Sequence, residues 1–99
     1  DFALASIAVS VRRGGSGLED ARIAVMGVAD TPLRLRQAED ELLALGLGDQ
    51  TPERFSEIVV SKVSPNEDLH ASAEYRKHLL GELSKRALRT ALASTERVA

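Results

Sequence analysis

The hydrophobic periodicity of this chain changes once, near residue 35, and that change limits the folds that it can adopt. Over residues 7–11 and 21–25, apolar residues alternate with polar or small ones. This period of two is typical of strands that bury one face. After residue 35, apolar residues recur at the spacing of helices. The sequence therefore predicts a sheet first and helices afterwards.

The segment Gly14-Gly15-Ser16-Gly17 separates the two alternating runs. A phosphate-binding loop would need a helix after it, whereas here a second alternating run follows. Glycines tolerate positive φ angles, so the segment is interpreted as the turn of a β-hairpin. Leu33-Arg34-Leu35 could add a short third strand.

Three helices are predicted beyond the sheet. The first contains Ala38, Leu42 and Leu45 and stops at Gly46. In the second, Thr51 is expected to be the N-cap, with Pro52 and Glu53 in the first turn and an end near Ser64. The longest, over residues 73–93, is expected to begin after an N-cap at Ser72. Its predicted inner stripe is Tyr75, Leu79, Leu83 (or Leu80) and Ala87.

These elements predict a single α+β domain over residues 1–99. Its antiparallel sheet has about three strands, formed by the N-terminal hairpin plus the short strand, and it packs on three C-terminal helices. Asp1 and Phe2 run into the first strand without a polar lead-in, so we expect the chain to be part of a larger protein.

Composition excludes several classes of function. A net charge of −2 and three aromatic residues argue against nucleic-acid binding. The absence of cysteine excludes disulfides and cysteine-held metal centres, and it favours a cytoplasmic location. No apolar run approaches the length of about 20 residues that a membrane-spanning helix needs.

Clusters of reactive side chains give no candidate catalytic or metal-binding residue. Glu39, Asp40 and Glu41 are adjacent, and consecutive helix residues point in different directions, so we interpret them as a solvated helix face. His70 and His78 lack the spacing of a metal-binding pair. A triad of Ser72, His78 and Asp68 is rejected because no nucleophile turn accompanies it.

The last helix is basic on its predicted outer side, which carries Arg76, Lys77, Lys85, Arg86 and Arg89. Glu82 is expected to pair with Arg86. The two interpretations left open are a solvated, salt-bridged face and a docking surface.

Four segments in register resemble a known family. They are residues 1–9, residues 24–34, Ala38-Glu39 with Leu42, and residues 68–79 with the later Lys85-Arg86-Ala87-Leu88. Together they resemble the C-terminal domain of the FAD-binding medium subunit of molybdenum hydroxylases, the group of carbon monoxide dehydrogenase and xanthine dehydrogenase.

The resemblance implies a domain that completes the FAD site and is not catalytic alone. In that family a molybdenum-cofactor subunit hydroxylates the substrate, and electrons pass through [2Fe–2S] clusters in an iron–sulfur subunit to FAD and then to an acceptor. The residues implied to bind the cofactor are Phe2, against the isoalloxazine ring, and Asp1, as a negative charge near it. We expect FAD in the full subunit but not on this chain alone. Tyr75 is expected in the core and Arg76 in a pair with Asp68.

An alternative hypothesis is a stand-alone α+β module that docks or dimerises without a cofactor. The two hypotheses differ in what precedes the domain, since only the first needs an upstream FAD-binding region.

Overall fold

A computed structural model of the chain describes residues 6–15, 17–26, 32–63 and 73–96, with side chains of the last range from 74 to 94. It contains β1 (Ser6–Gly14), β2 (Gly17–Met26), β3 (Leu33–Arg34), α1 (Arg36–Leu45), α2 (Thr51–Ser61) and α3 (Ala73–Glu96). The predicted α+β class, with three antiparallel strands before three helices, is confirmed.

The sheet has the order β1-β2-β3 and both strand pairs are antiparallel. Val9 lies opposite Ile23 and Ala8 lies opposite Ala24. Directly paired residues share a face, so the odd-numbered apolar residues of both strands lie together under the helices. Ile23 is 1% exposed, whereas Ala8 on the opposite face is exposed. The predicted division of the two faces is confirmed.

The hairpin closes where the glycines are. Gly15 has a φ of 55°, which favours glycine, and Gly17 already belongs to β2. The register shifts between Arg12 and Arg13, which is a β-bulge, and Arg12 forms an ion pair with Glu19. The hairpin interpretation of this segment is therefore confirmed.

The helices cover one face of the sheet. α3 packs against β1, α1 packs against β2, and α2 packs on α3. The core between these layers consists of eleven buried apolar residues: Ala21, Ile23, Val25, Leu35, Ala38, Leu42, Phe55, Val59, Val63, Leu80 and Leu88.

The prediction for the start and end of α2 is wrong in detail. Thr51 is the first residue of the helix and Gln50 is its N-cap, without a side-chain capping bond. The Thr51 hydroxyl instead donates to the carbonyl of Gly46 at 3.0 Å and accepts the N–H of Gly48 at 2.8 Å. It closes the connection between α1 and α2, because a buried hydroxyl must find partners there. The helix ends at Ser61 rather than near Ser64.

The predicted inner stripe of α3 is rotated from the observed one. Leu80, which the prediction gave as the alternative to Leu83, is fully buried together with Ser84 and Leu88, whereas Leu83 is only half-buried. Tyr75, predicted in the core, is 51% exposed. The helix lies between α2 and β1, so its most buried line faces the junction of the two. The helix ends at Glu96 instead of Ala93, and the predicted cap Ser72 lies outside the described residues.

Candidate functional site

The two residues implied to bind the cofactor, Asp1 and Phe2, lie outside the described residues. The nearest described position is Ser6, the first residue of β1, which pairs with Met26. Two of the three large apolar side chains that the described part of the chain exposes lie at this end of the sheet: Met26 at 45% and Leu33 at 38%. At the end of the sheet where β1 begins, Met26 and Leu33 are therefore partly exposed, on opposite faces of the sheet.

The structure overturns one interpretation of a charged group. Glu39, assigned to a solvated helix face, is 5% exposed. Its Oε2 accepts the N–H of Ile23 at 2.9 Å and the Nε–H of Arg34 at 2.8 Å, and its Oε1 accepts Nη2 of Arg34 at 3.0 Å. The carboxylate thus receives a two-pronged bond from one guanidinium and a third bond from the backbone of β2.

The position of Glu39 follows from the short length of β3. The strand ends at Arg34, and Leu35 donates its N–H to the carbonyl of Ile23 at 2.9 Å before α1 begins. The N–H of Ile23 also points towards β3, but the strand has ended there and offers it no acceptor. A buried N–H without a partner is costly, and the first turn of α1 delivers a carboxylate to it. Glu39 therefore closes this edge of the sheet.

The pKa of Glu39 is lowered from its ordinary value, chiefly by the hydrogen bonds from Arg34 and also by the N–H of Ile23, although burial opposes the shift. The same bond raises the pKa of Arg34. Both groups are therefore charged at neutral pH. A carboxylate that is surrounded by hydrogen-bond donors and has a lowered pKa is suited to the role of a structural anion. A general acid would instead need a raised pKa.

A sequence signal for this burial exists. Leu35, Ala38, Glu39 and Leu42 follow the spacing i, i+3, i+4, i+7 of one helix face. Glu39 thus occupies a position of the apolar stripe, and a charged residue at such a position indicates a buried ion pair.

The other carboxylates of that cluster differ from Glu39. Asp40 is exposed, as predicted, and Glu41 pairs with Lys62 at 2.5 Å. His78 lies exposed on α3, whereas His70 is not among the described residues. Within the ranges that the structure describes, no group of three histidine, aspartate or glutamate residues could hold a metal ion.

The basic side of α3 is partly neutralised. Arg89 bonds Glu53 of α2 at 3.0 Å, and Lys85 bonds Glu82 at 3.0 Å. The pKa of Glu82 is lowered by that bond to Lys85. The predicted pairing of Glu82 with Arg86 is therefore wrong, because the i+3 lysine takes its place. Among the described residues, Arg86 has no ion-pair partner.

The proposed pairing of Arg76 with Asp68 stays a prediction, because Asp68 lies outside the described ranges. None of the described helices is both long enough and apolar enough to cross a membrane.

The segment Gly14–Gly17 does not offer a site for the pyrophosphate of a dinucleotide. It joins β1 to β2, whereas a phosphate cradle leads from a strand into a helix N-terminus.

Comparison with known proteins gives a consistent family. The profile of the CO dehydrogenase flavoprotein C-terminal domain matches residues 1–91. The nicotine 6-hydroxylase medium subunit of Paenarthrobacter nicotinovorans is 38% identical over 95 residues, which cover 96% of this chain and 34% of that protein.

Solved structures agree with this match. The carbon monoxide dehydrogenase of Hydrogenophaga pseudoflava that lacks the Mo-pyranopterin moiety superposes with a TM-score of 0.83 at 34% identity, over 94% of this chain and 32% of that one. Quinoline 2-oxidoreductase of Pseudomonas putida 86 gives a TM-score of 0.82 at 25% identity, over 96% of this chain and 34% of that one.

The chain spans about a third of the length of the relatives that it matches, which are subunits of oxidoreductases. The profile match extends over nearly the whole chain, and the TM-scores of 0.83 and 0.82 show the same fold in the two solved structures. The chain belongs to the family of CO dehydrogenase flavoprotein C-terminal domains.

Proposed function

We propose that this domain is the C-terminal part of the FAD-binding medium subunit of a molybdenum hydroxylase, where it closes one side of the flavin site. The observation that carries the proposal is the family match over residues 1–91. Near the start of β1, the exposed apolar side chains of Met26 and Leu33 are suited to contact with the apolar dimethylbenzene part of a flavin ring.

Phe2 would pack against the isoalloxazine ring, and Asp1 would place a negative charge near it. FAD supplies the electron-transfer chemistry when bound, and the contribution of this chain is to orient the ring, exclude water and set the local charge. The remaining contacts, including those to the pyrophosphate, would come from the rest of the subunit, because the only glycine-rich segment here forms a hairpin turn.

The partners in this proposal are the rest of the flavoprotein subunit, a molybdenum-cofactor subunit and an iron–sulfur subunit. Electrons would enter through [2Fe–2S] clusters and leave through FAD to an acceptor.

The test compares the 99-residue chain with the full-length gene product. We expect flavin absorbance in the full-length protein and none in the shorter chain. A full-length protein that is folded and colourless, even after FAD is added, would contradict the proposal.

Variants separate the roles of the two residues. Phe2→Ala should weaken FAD retention, measured by dialysis and fluorescence of released flavin. Asp1→Asn should raise the flavin reduction potential, because removing a nearby negative charge favours the electron-rich reduced state. Asp49→Asn, at an exposed position in the connection between α1 and α2, is the matched control and should change neither quantity.

The alternative of a stand-alone interaction module predicts a colourless full-length protein that assembles through the same domain. The family membership favours the flavoprotein role.

A further inference from the structure

A long groove lies between α3 and the outer edge of β1, the edge that does not face β2. Its volume is about 660 Å³. Ile7 and Val9 line it from the strand, and Leu83 and Ala87 line it from the helix. These four residues are half-buried, so the groove exposes an apolar floor.

The backbone of β1 directs some of its N–H and carbonyl groups towards the outer edge, where the groove lies. The N–H and carbonyl of Ile23 both point away from β1, to Glu39 and Leu35. In an antiparallel pair, the residue opposite must then also point away, which places the N–H and carbonyl of Val9 on the outer edge. Ile7 shares this orientation because it is two residues away.

Around Ile7 and Val9, the outer edge of β1 lacks the usual protection of an edge strand. Strands at sheet edges are normally blunted by lysine, proline, inward charges or bulges. Residues 6–10 contain none of these, and the first charged residue is Arg12, at the bulge beside the hairpin turn. Among the described residues, no strand pairs with this edge.

The lengths of the relatives suggest an occupant for this edge. They are about three times as long as the matched region, and the matching family describes a C-terminal domain. In such a subunit the remaining two thirds come before the domain and reach it at the Ser6 end of β1, which is also where the groove begins. The preceding part of the subunit is therefore covalently joined, through residues 1–5, to the strand with this edge.

We propose that an extended segment from the preceding part of the flavoprotein subunit lies in this groove and pairs with β1 as a fourth strand. Strand addition of this kind uses the N–H and carbonyl groups of Ile7 and Val9 for affinity and the apolar floor for specificity. Alternate side chains of the segment would pack on Leu83 and Ala87. An acidic residue of the segment would meet Arg86, which lines the groove. The proposal rests on the proposed function, because the occupant is part of that subunit.

The first measurement needs no substitution. Amide hydrogen exchange is compared between the 99-residue chain and the full-length gene product, read at Ile7 and Val9. Strand addition should slow exchange at both amides by about tenfold or more in the full-length protein. The amide of Ala8, which points to β2, is the internal control and should be protected in both.

The second measurement uses thiol labelling, for which the absence of cysteine in this chain is an advantage. T90C lies in the groove and A93C lies outside it, and both positions are exposed on α3. In the full-length protein T90C should react with a maleimide about tenfold more slowly than in the 99-residue chain, with the labelled peptide identified by mass spectrometry. A93C should react at the same rate in both.

The outcomes separate this inference from the flavin role. A full-length protein that binds FAD but shows unchanged exchange at Ile7 and Val9 overturns the groove assignment alone. Protection in a full-length protein without FAD supports the groove assignment and contradicts the flavin role. Protection that is already present in the 99-residue chain and grows with its concentration identifies a second copy as the occupant and overturns the proposal.

Discussion

Glu39 offers the sharpest test of how the sheet and α1 are held together. Glu39→Gln keeps the size of the side chain and an oxygen for the N–H of Ile23, but it removes the charge that Arg34 binds. Hydrogen bonds to charged groups contribute about 1.5–3 kcal/mol when buried. Because the Arg34 side chain is 41% exposed, solvent screens part of this interaction, and the expected loss is about 2 kcal/mol.

Glu39→Ala should cost more, about 3–4 kcal/mol, because the N–H of Ile23 then also lacks a partner. The matched control is Asp40→Asn, which removes a carboxylate from the next, exposed position and should change stability by less than about 0.5 kcal/mol. Urea unfolding followed by circular dichroism measures all three. A loss of 2 kcal/mol corresponds to a drop in Tm of roughly 8–16 °C in a domain of this size.

The pH dependence gives an independent check. The folded-state pKa of Glu39 lies below its ordinary value of 4.5, so the ion pair stabilises the fold above that pH. The stabilisation is lost as the pH falls through the folded-state pKa. The difference between the original chain and Glu39→Gln should therefore be constant near neutral pH and shrink in acid. Equal stability of Glu39→Gln and Asp40→Asn at pH 7 would refute the assigned role of the carboxylate.

Two further predictions concern the packing of the helices. Thr51→Val keeps the shape but leaves the N–H of Gly48 without its acceptor, and urea unfolding should show a loss of about 1–2 kcal/mol. Gly81→Ala should be nearly neutral, because the gain in helix propensity is offset by a contact of 3.0 Å between the new Cβ and Oγ of Ser56. In a Ser56→Ala background the same change should stabilise by up to about 1 kcal/mol, and an identical effect in both backgrounds would contradict the contact.

The sheet was predictable because a strand offers only two faces. Once Ile23 and Val25 are assigned to the buried face, the alternation along each strand and the pairing register assign the remaining residues of β1 and β2 to one face or the other. Helix positions are less constrained, since a stripe of half-buried and buried residues can be rotated by one position and still look amphipathic. On α3 the small residue Ser84 lies at the most buried line and satisfies its hydroxyl with the carbonyl of Leu80 at 2.7 Å. A hydrophobicity pattern does not identify a serine as a buried position.

Glu39 and Thr51 were assigned to surface and capping roles because their residue types favour those roles locally. Their actual partners, Ile23, Gly46 and Gly48, depend on where the preceding strand or helix ends. β3 is short enough to leave the N–H of Ile23 open, and that length is decided by the turn into α1. Local propensity therefore predicts the strands and helices, whereas the hydrogen bonds at their ends depend on tertiary contacts.

The polar groups singled out in the described residues all serve the fold, and this leads to a last prediction about the flavin. Glu39 closes the sheet edge, Thr51 closes a helix connection and Ser84 bonds its own helix.

If the domain acts on the cofactor only through Asp1, Phe2 and its own docking, then Glu39→Gln and Thr51→Val should lower flavin content in the full-length protein only as far as they lower stability. Flavin content, measured after equilibration at several temperatures, should then fall on one curve against the free energy of unfolding. Phe2→Ala should lie below this curve, because it would remove the proposed ring contact without removing a described core residue. A Glu39→Gln protein that stays fully folded and loses its flavin would instead give that carboxylate a direct role at the cofactor and contradict its assignment as a purely structural anion.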